Sequence, residues 1–343
     1  MKAIRLHDSS GDPSALSLDD LPIPEIRSPG DVLVRVHAAG VNPIDFKLRK
    51  KGSLFPENLP AVPGCEGAGT VEAVGKGLTS FSPGDQVYFM HGGFGLSPGS
   101  FAEYTIVPEI SLCKKPSLLT MEEAACVPLT LTTAWESLHT RAQIKQTDTV
   151  LIHAGTGGVG QMAIRLAHSE GARVFTTVRG NKNKQIILSQ QDAIPISSEH
   201  FEEEFLEISN GQHPNLILDT LGGPFTSRSL AFLAPYGRMV TLLEEPLSNE
   251  DSIHSKVKNL TLHWIQALAP GIFNIESKKR DQAEILQKGQ VLADAGKISV
   301  KISRTLSLED VAEAIDLVEF GHPFGRVVIS MGVKEAFDWQ HTS

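Results

Sequence analysis

Residues Thr149 to Gly180 read "TVLIHAGTGGVGQMAIRLAHSEGARVFTTVRG", a short apolar run, a glycine cluster, a helical pattern and a second β-rich run. The cluster fits the pattern G-x-G-x-x-G in the strand-then-helix context that the pattern needs. There the first glycine permits a tight turn, the second lets the backbone approach a pyrophosphate, and the third lets the helix pack closely on the strand. The stretch predicts a dinucleotide site, rather than a loop that only ends a strand, at Gly155, Thr156, Gly157, Gly158, Val159 and Gly160.

The end of the second β-rich run concerns the choice of cofactor. An NAD-binding unit usually places an acidic residue there to bond the ribose 2′-hydroxyl, but this run ends on Arg179. Lys182 and Lys184 follow closely and add positive charge that suits a 2′-phosphate. We therefore expect NADPH, bound by Arg179 with help from Lys182 or Lys184. The alternative is a solvated basic turn.

Strand and helix patterns divide the chain into two types of structure. From Thr149 strands alternate with helices, which is typical of a doubly wound parallel sheet. The first third has short strands such as "VLVRVHAAG", "EGAGTVEAV" and "GSFAEYTIV" between frequent turns, which favours a small β-barrel-like domain. A helical stretch from Met121 is interrupted at Pro128, and the C-terminal part predicts two helices and a closing strand "RVVIS". Gly171 and Gly237 fall where helices should end and are predicted to be left-handed caps.

Composition and charge narrow the class of protein. The 343 residues are enough for two domains, and a hydrophobic content of 41% is globular. A formal net charge of −9 argues against a nucleic-acid partner, which would need a basic face. We find no secretory signal and no apolar stretch long enough to cross a membrane. Three widely spaced cysteines make a disulfide framework improbable, and together these features predict a cytoplasmic protein.

Several other catalytic motifs are missing from the sequence. Gly160 is followed by Gln161 and Met162, which excludes a P-loop. None of the three tyrosines is followed by lysine four residues later, and no G-x-S-x-G motif occurs. His153 adjoins the glycine loop, but in a strand we interpret it as a core histidine with satisfied hydrogen bonds rather than as an acid or base.

Nine segments together resemble the medium-chain dehydrogenase/reductase superfamily, in its zinc-independent quinone oxidoreductase branch. The resemblance implies a GroES-like β-rich catalytic domain over residues 1–123 and 271–343, a Rossmann domain over 124–270, a substrate cleft between them, and a homodimer. The segments are "AAGVNPIDFKLRK", "PGCEGAGTVEAVG", "PGDQVYF", "GSFAEYTIV", "AACVPLTLTTAWESL", "HAGTGGVGQMAIRLA", "LDTLGG", "YGRMVTL" and "FGRVVIS".

The same resemblance bears on whether the chain binds a metal. Zinc relatives hold catalytic zinc through Cys, His and Cys, and the matching positions here are Asn42, Cys65 and Leu129. Leucine cannot bind zinc and an amide binds it poorly, so we expect no metal. An unusual site built from Cys65, Glu66 and Asp45 is the less favoured alternative.

Without a Lewis acid, acceptors that need little polarisation remain, namely quinones and other activated enones. The resemblance places Asn42 and Thr133 near the reacting atoms, where they are candidate hydrogen-bond donors to a developing oxyanion. Their alternatives are a turn residue before Pro43 and a hydroxyl on a helix surface. The resemblance also implies that the cofactor is contacted by the end of the strand at Asp219 and by Leu221, Leu242, Leu243, Phe324 and Arg326, the last two within the segment from His322 to Arg326.

The sequence thus predicts an NADPH-dependent reductase of quinones or enones. Two rivals stay open: an NADP-dependent alcohol dehydrogenase that uses zinc at unusual ligands, and a catalytically idle NADPH-binding sensor or structural protein.

Overall fold

The computed structural model describes residues 1–8, 10, 12–51, 54–244, 246–321 and 323–332. Its N-terminal part is a set of antiparallel strands with one helix, α1. In chain order the elements are β1 (Lys2–Leu6), β2 (Leu16–Asp20), β3 (Asp31–Gly40), α1 (Pro43–Lys51), β4 (Glu66–Val74), β5 (Gln86–Met90), β6 (Tyr104–Pro108) and β7 (Leu112–Lys114).

The middle of the chain alternates helices and strands. The elements are α2 (Met121–Ala125), α3 (Pro128–Trp135), β8 (Thr149–Ile152), α4 (Gly158–Ser169), β9 (Arg173–Val178), α5 (Gly180–Gln190), β10 (Ile194–Ser197), α6 (Phe201–Ser209), β11 (Leu216–Asp219), α7 (Pro224–Phe232), β12 (Arg238–Thr241), α8 (Asn249–Val257) and β13 (Thr261–Trp264). Strands β8 to β13 form one parallel sheet in the order β10-β9-β8-β11-β12-β13. This is the standard order of a dinucleotide-binding Rossmann sheet, which confirms the predicted doubly wound domain.

The C-terminal part returns to the first group of strands. It contains α9 (Ala269–Ile272), α10 (Glu276–Asp294), β14 (Ile302–Ser307), α11 (Val311–Asp316) and β15 (Arg326–Ser330). Strands β14 and β15 join the second large sheet in the order β14-β15-β3-β4-β5-β7, with β6 also paired to β3. The β-rich unit is therefore built from both ends of the chain, as expected. The domain boundaries at residues 124 and 271 stay a prediction.

Local sequence explains where the helices near the site begin and end. Thr120 and Glu123 form a capping box at the start of α2, and Pro128 occupies the first turn of α3, which separates the two helices as predicted. Gly171 has φ +81° and is the predicted left-handed cap. The same prediction for Gly237 is wrong, because the positive φ belongs to Tyr236. Gly237 instead allows a close approach, since a Cβ there would lie 2.8 Å from the carbonyl oxygen of Ala234.

One edge of the parallel sheet collects the loops that matter for binding. The loops that follow β9, β8, β11, β12 and β13 all leave from the carboxyl ends of parallel strands, so they lie side by side in that order. Four steps between neighbouring strands span about 19 Å at the usual spacing of about 4.8 Å. Strand β13 was not predicted, because its four residues "TLHW" carry no apolar run, and Thr261 and Trp264 are exposed at the sheet edge.

No helix within the described residues is both long and apolar enough to cross a membrane.

Candidate active site

The glycine loop joins β8 to α4. Gly157 is the N-cap of α4, and no side chain caps the helix. The first backbone N–H groups of a helix have no partner within the helix, and the helix dipole adds positive potential there. A twelve-residue helix that begins on glycine without a side-chain cap can therefore bind a phosphate through its first turn.

The glycines in this loop have different roles. A Cβ on Gly155 would clash with Thr176, and a Cβ on Gly160 would clash with the carbonyl of Ala154. These two glycines are required by the packing of strand against helix. A Cβ on Gly157 would meet only the oxygen of Ala154, at an ordinary 3.4 Å. Because the fold does not require a glycine at 157, the open surface there fits a ligand that must approach the backbone, as a pyrophosphate does.

Arg179 lies at the carboxyl end of β9, one strand away from the glycine loop. It is exposed and is the N-cap of α5, with no capping hydrogen bond from its side chain. Lys182 is exposed as well. Lys184 is half-buried, and its Nζ donates to Glu204 Oε2 at 3.2 Å. A 2′-phosphate would have to compete with Glu204 for the Lys184 ammonium group. Lys182 is therefore better placed than Lys184 to assist Arg179.

The loop after β11 is fixed by a buried carboxylate. Asp219 Oδ1 accepts hydrogen bonds from the backbone N–H groups of Leu221 and Gly222, both at 2.9 Å, and Oδ2 accepts from Thr226 Oγ1 at 2.7 Å. Gly222 approaches Leu243 so closely that a Cβ would clash with it. Asp219 thus positions Leu221 beside the loop after β12 and is itself buried.

The remaining predicted cofactor residues gather around the same core. Val159, Leu242 and Phe324 are partly buried and pack against one hydrophobic cluster that includes Ile152 and Ala163. Leu243 is half-buried beside Gly222. The structure therefore brings the predicted residues from β8, β11, β12 and the C-terminal segment to one edge. His322 lies outside the described residues, and the contact of each residue with cofactor stays a prediction.

A buried polar cluster lies behind the glycine loop. Glu66 is fully buried, and its Oε1 accepts from Arg326 Nη2 at 2.6 Å and from Asn42 Nδ2 at 2.7 Å. Its Oε2 accepts from the backbone N–H of Leu129 at 2.8 Å. Since Pro128 has no N–H, Leu129 offers the first donor of α3, and the carboxylate lies at the positive end of that helix. Glu66 therefore connects β4, α3, β15 and the loop before α1.

Arg326 contacts both the polar cluster and the glycine loop. Its Nη2 also donates to Asn42 Oδ1 at 2.8 Å. A Cβ on Gly158 would lie 2.8 Å from Arg326 Nη1, so the guanidinium lies directly beneath the first turn of α4. Arg326 was predicted to bind cofactor, and the structure shows it buried beside the loop and paired with Glu66.

The two predicted oxyanion donors already have partners inside the protein. The side-chain amide of Asn42 donates to Glu66 and, at 3.3 Å, to the carbonyl of Gly40. Thr133 is buried, and its hydroxyl donates to the carbonyl of Leu129 at 2.7 Å. A catalytic role for either residue stays a prediction, and it requires each to exchange an internal partner for a substrate oxygen.

The positions that match zinc ligands have little metal-binding chemistry. Burial raises the pKa of the Cys65 thiol well above its usual value, and thiolate is the form that binds metal. Leu129 packs with Cys65 in an apolar cluster. Asp45 is buried, and burial raises its pKa to about 7. Its Oδ2 accepts from the backbone N–H of Asn42 at 2.8 Å, while Oδ1 is buried with no hydrogen-bond partner among the residues described. Among the described residues, no group of three or more His, Cys, Asp or Glu side chains is arranged to hold a metal ion.

His153 is a core histidine, as predicted. It is fully buried, with ring nitrogens 3.2 Å from Thr177 Oγ1 and 2.9 Å from Ser229 Oγ. Burial lowers its pKa to about 4, which keeps the ring neutral.

A cavity that the sequence analysis missed lies beyond the apolar cluster. Its volume is about 340 Å³, within the range of small-molecule pockets. Ala267 and Leu268, which follow β13, form one wall, and Met90 at the end of β5 with the loop that follows it to Ser97 forms another. Phe94 and Leu268 belong to the same cluster as Cys65, against which Leu129 packs. The cavity therefore adjoins the apolar cluster of Cys65 and Leu129, at the far end of the strand edge from Arg179.

Two family models match the chain. Residues 28–117 match the alcohol dehydrogenase GroES-like domain, and residues 193–329 match the zinc-binding dehydrogenase model.

Solved structures of similar proteins cover nearly the whole chain. An alcohol dehydrogenase superfamily protein from Novosphingobium aromaticivorans is 33% identical, with 96% of this chain and 99% of that chain covered and a TM-score of 0.88. A quinone oxidoreductase from Coxiella burnetii is 30% identical, with 96% and 99% covered and a TM-score of 0.81.

Curated relatives differ in length. The mitochondrial NAD(P)H oxidoreductase RTN4IP1 of Danio rerio is 28% identical over 339 residues, which are 90% of this chain and 86% of that protein. The reducing polyketide synthase PKS1 of Cochliobolus heterostrophus is 34% identical over 218 residues, which are 62% of this chain but 8% of that protein. The chain therefore spans only a small part of some relatives.

The strand order, the glycine loop on α4 and the full-length likeness agree with one another. The chain belongs to the medium-chain dehydrogenase/reductase superfamily of oxidoreductases, which use a nicotinamide cofactor, NAD(P)H.

Proposed function

We propose that this protein reduces quinones or other activated enones with NADPH and does so without zinc. The observation that carries the proposal is the set Asn42, Cys65 and Leu129 at the zinc-ligand positions. The Asn42 amide is hydrogen-bonded to Glu66 and Arg326. Cys65 is a buried thiol with a raised pKa, and Leu129 is apolar. The quinone oxidoreductase among the similar structures supports the same substrate class.

The bound cofactor would supply a hydride, and the chain would supply binding and orientation. The apolar surface of Leu129, Phe94 and Leu268 would exclude water from the acceptor face. A quinone needs little polarisation because its product is aromatic, and in an enone the charge moves to the carbonyl oxygen. Asn42 and Thr133 are the donors we propose for that oxygen, with the proton supplied by water.

The choice of NADPH rests on the carboxyl end of β9. Arg179 and Lys182 are exposed there, and no acidic residue ends the strand. A 2′-phosphate would find two cations within one turn of α5.

We also propose a homodimer in the cytoplasm. Within the described residues, strand β13 pairs with β12 alone, so one edge of the parallel sheet has no partner strand there, and Trp264 on β13 is 53% exposed. An open edge with an exposed aromatic side chain suits pairing with a second copy. Light scattering on the purified chain should give twice the mass of 37.1 kDa, and a monomer at all concentrations would refute the proposal.

The test of function is NADPH oxidation with quinones, enones and simple aldehydes, before and after prolonged chelation. We expect turnover with the first two classes, unchanged by chelation. Turnover only of aldehydes or alcohols, lost with a stoichiometric zinc, would establish the zinc rival. Tight NADPH binding with no oxidation by any acceptor would establish the idle rival.

A further inference from the structure

The cavity beyond Leu129 has an apolar side and a cationic side. Met90, Phe94, Ala267 and Leu268 are apolar and lie toward the cluster that contains Cys65. The polar side has His91 from the loop after β5 and Lys279 from the first turn of α10. Leu96 and Asn274 also line the cavity and are exposed, which places its opening near them.

Lys279 is a half-buried cation, and its hydrogen bond in the described part of the chain goes to an uncharged group. Its Nζ donates to Asn274 Oδ1 at 2.7 Å, which is a neutral acceptor. Its neighbours Lys278 and Arg280 pair with Asp281 and Glu276, whereas within the described ranges no carboxylate pairs with Lys279. An ammonium group that is partly withdrawn from water gains most from an anion, so the cavity suits a negatively charged ligand.

His91 adds a second polar group without adding charge. Its backbone N–H donates to the carbonyl of Cys65 at 2.9 Å, which holds His91 beside the residue that precedes β4. Burial, with a smaller effect from the charge of Lys279, lowers the pKa of His91 to about 4, so its ring is neutral at pH 7. In the described part of the chain the ring has no hydrogen-bond partner, and a neutral imidazole keeps one N–H to donate.

We infer that this cavity binds an activated alkene that carries a carboxylate, with the carboxylate accepting hydrogen bonds from Lys279 and His91. The apolar body would lie along Phe94 and Leu268, and the double bond would point toward Leu129 and Asn42. This inference rests on the proposed function and adds the substrate class. Phe94 and Leu268 line the cavity and also belong to the apolar cluster against which Leu129 packs, so a molecule in the cavity can extend along that cluster toward Leu129.

The test compares two enones of equal length, one ending in a carboxylate and the other in the corresponding carboxamide. We expect kcat/KM to favour the carboxylate by about tenfold, the low end for a charge-assisted hydrogen bond near solvent. Lys279→Gln should bring the ratio close to one, and His91→Phe should lower it severalfold. Lys278→Gln is the matched control, because Lys278 is ion-paired and does not line the cavity, and its ratio should equal that of wild type.

A ratio of one or less in the wild type, or an unchanged ratio in Lys279→Gln, would overturn the inference. Titration calorimetry with the saturated carboxylate and carboxamide repeats the comparison without turnover. If NADPH is oxidised by neutral quinones but neither assay favours the carboxylate, only this inference fails. If no acceptor oxidises NADPH, the proposed function fails, and the calorimetry still decides whether Lys279 binds a carboxylate.

Discussion

Two parts of the proposed site are built in different ways. We call the glycine loop and Arg179 the phosphate end, and the buried cluster of Asn42, Glu66 and Arg326 behind that loop the hydride end, after the roles that we propose for them. At the phosphate end, Gly157 and Arg179 lie 22 positions apart in the sequence, in one βαβ unit. Gly157 is half-buried and Arg179 is exposed. At the hydride end, Asn42, Glu66 and Arg326 come from three distant parts of the chain and are all buried. The phosphate end presents backbone N–H groups and cations to a ligand, whereas the polar groups of the hydride end are hydrogen-bonded to one another. Substitutions of the ligand-facing residues Gly157 and Arg179 should therefore affect binding, and substitutions in the buried cluster should affect folding.

The largest effect should follow from breaking the buried ion pair. Arg326→Met leaves the Glu66 carboxylate buried with no cation, which costs about 3–5 kcal/mol of unfolding free energy. Denaturant unfolding measures this. Arg280→Met is the control, because the exposed pair of Arg280 with Glu276 should contribute less than about 0.5 kcal/mol.

A double-mutant cycle sharpens the same prediction. Adding Glu66→Gln to Arg326→Met removes the unpaired charge and should recover part of the loss. A single Arg326→Met variant as stable as wild type would mean that the pair contributes little to folding, and the contrast between the two ends would then fail.

Gly157→Val should produce the next largest effect, on binding and not on folding. The valine would stand where pyrophosphate must approach the backbone, so NADPH affinity should fall at least about a hundredfold, or about 2.7 kcal/mol. The fold should survive, since φ −77° and ψ 165° are open to valine and only Ala154 O lies within 4 Å of the new Cβ. Fluorescence titration and a thermal melt measure the two effects.

Gly155→Ala is the informative partner of that variant. Its Cβ would clash with Thr176, so this smaller substitution should lower the melting temperature more than Gly157→Val does. Near-normal NADPH affinity in a folded Gly157→Val variant would mean that the loop is only a turn.

These two ends also explain what could be predicted from the sequence. The glycine loop, the doubly wound sheet and Arg179 were predictable because each depends on residues close together in the chain. The pairing of Glu66 with Arg326 was not, because 260 positions separate them and only the sheet order brings β4 and β15 to either side of β3. A charged residue opening the apolar strand "EGAGTV" was the one available signal. The cavity at His91 and Lys279 likewise needs the fold, since its walls come from the loop after β5 and from α10.

Arg179→Asp tests whether the phosphate end selects NADPH over NADH. The loss of one cation and the gain of repulsion should lower the NADPH/NADH ratio of kcat/KM by about ten- to a hundredfold, and screening by salt favours the lower figure. Both cofactors are measured with one quinone at fixed ionic strength. A wild type that already prefers NADH, or a ratio that does not fall, would make Arg179 a solvated turn residue.

The effect of Asp45→Asn should depend on pH. Burial raises the pKa of Asp45 from 3.8 to about 7, so its protonated form stabilises the fold below pH 4 and that contribution is lost as pH rises toward 7. Asparagine copies the neutral form at every pH. The unfolding free energy of the variant, relative to that of wild type, should therefore increase by at least about 1.4 kcal/mol between pH 4 and 7. Above pH 7 this difference should stay constant.

The measurement is urea unfolding of both proteins at pH 4.5, 6 and 8. A difference that is constant over this range, or that changes in the other direction, would show that Asp45 is ionised in the folded protein at pH 4.5 and that the hydride end is more polar than its burial indicates.

The most direct test of the central claim follows the label from deuterated NADPH into an enone, using protein stripped of metal. We expect deuterium on the β-carbon of a saturated product whose carbonyl is intact, formed at the same rate as with untreated protein. Deuterium on the carbonyl carbon, or transfer that returns only when zinc is added, would contradict it.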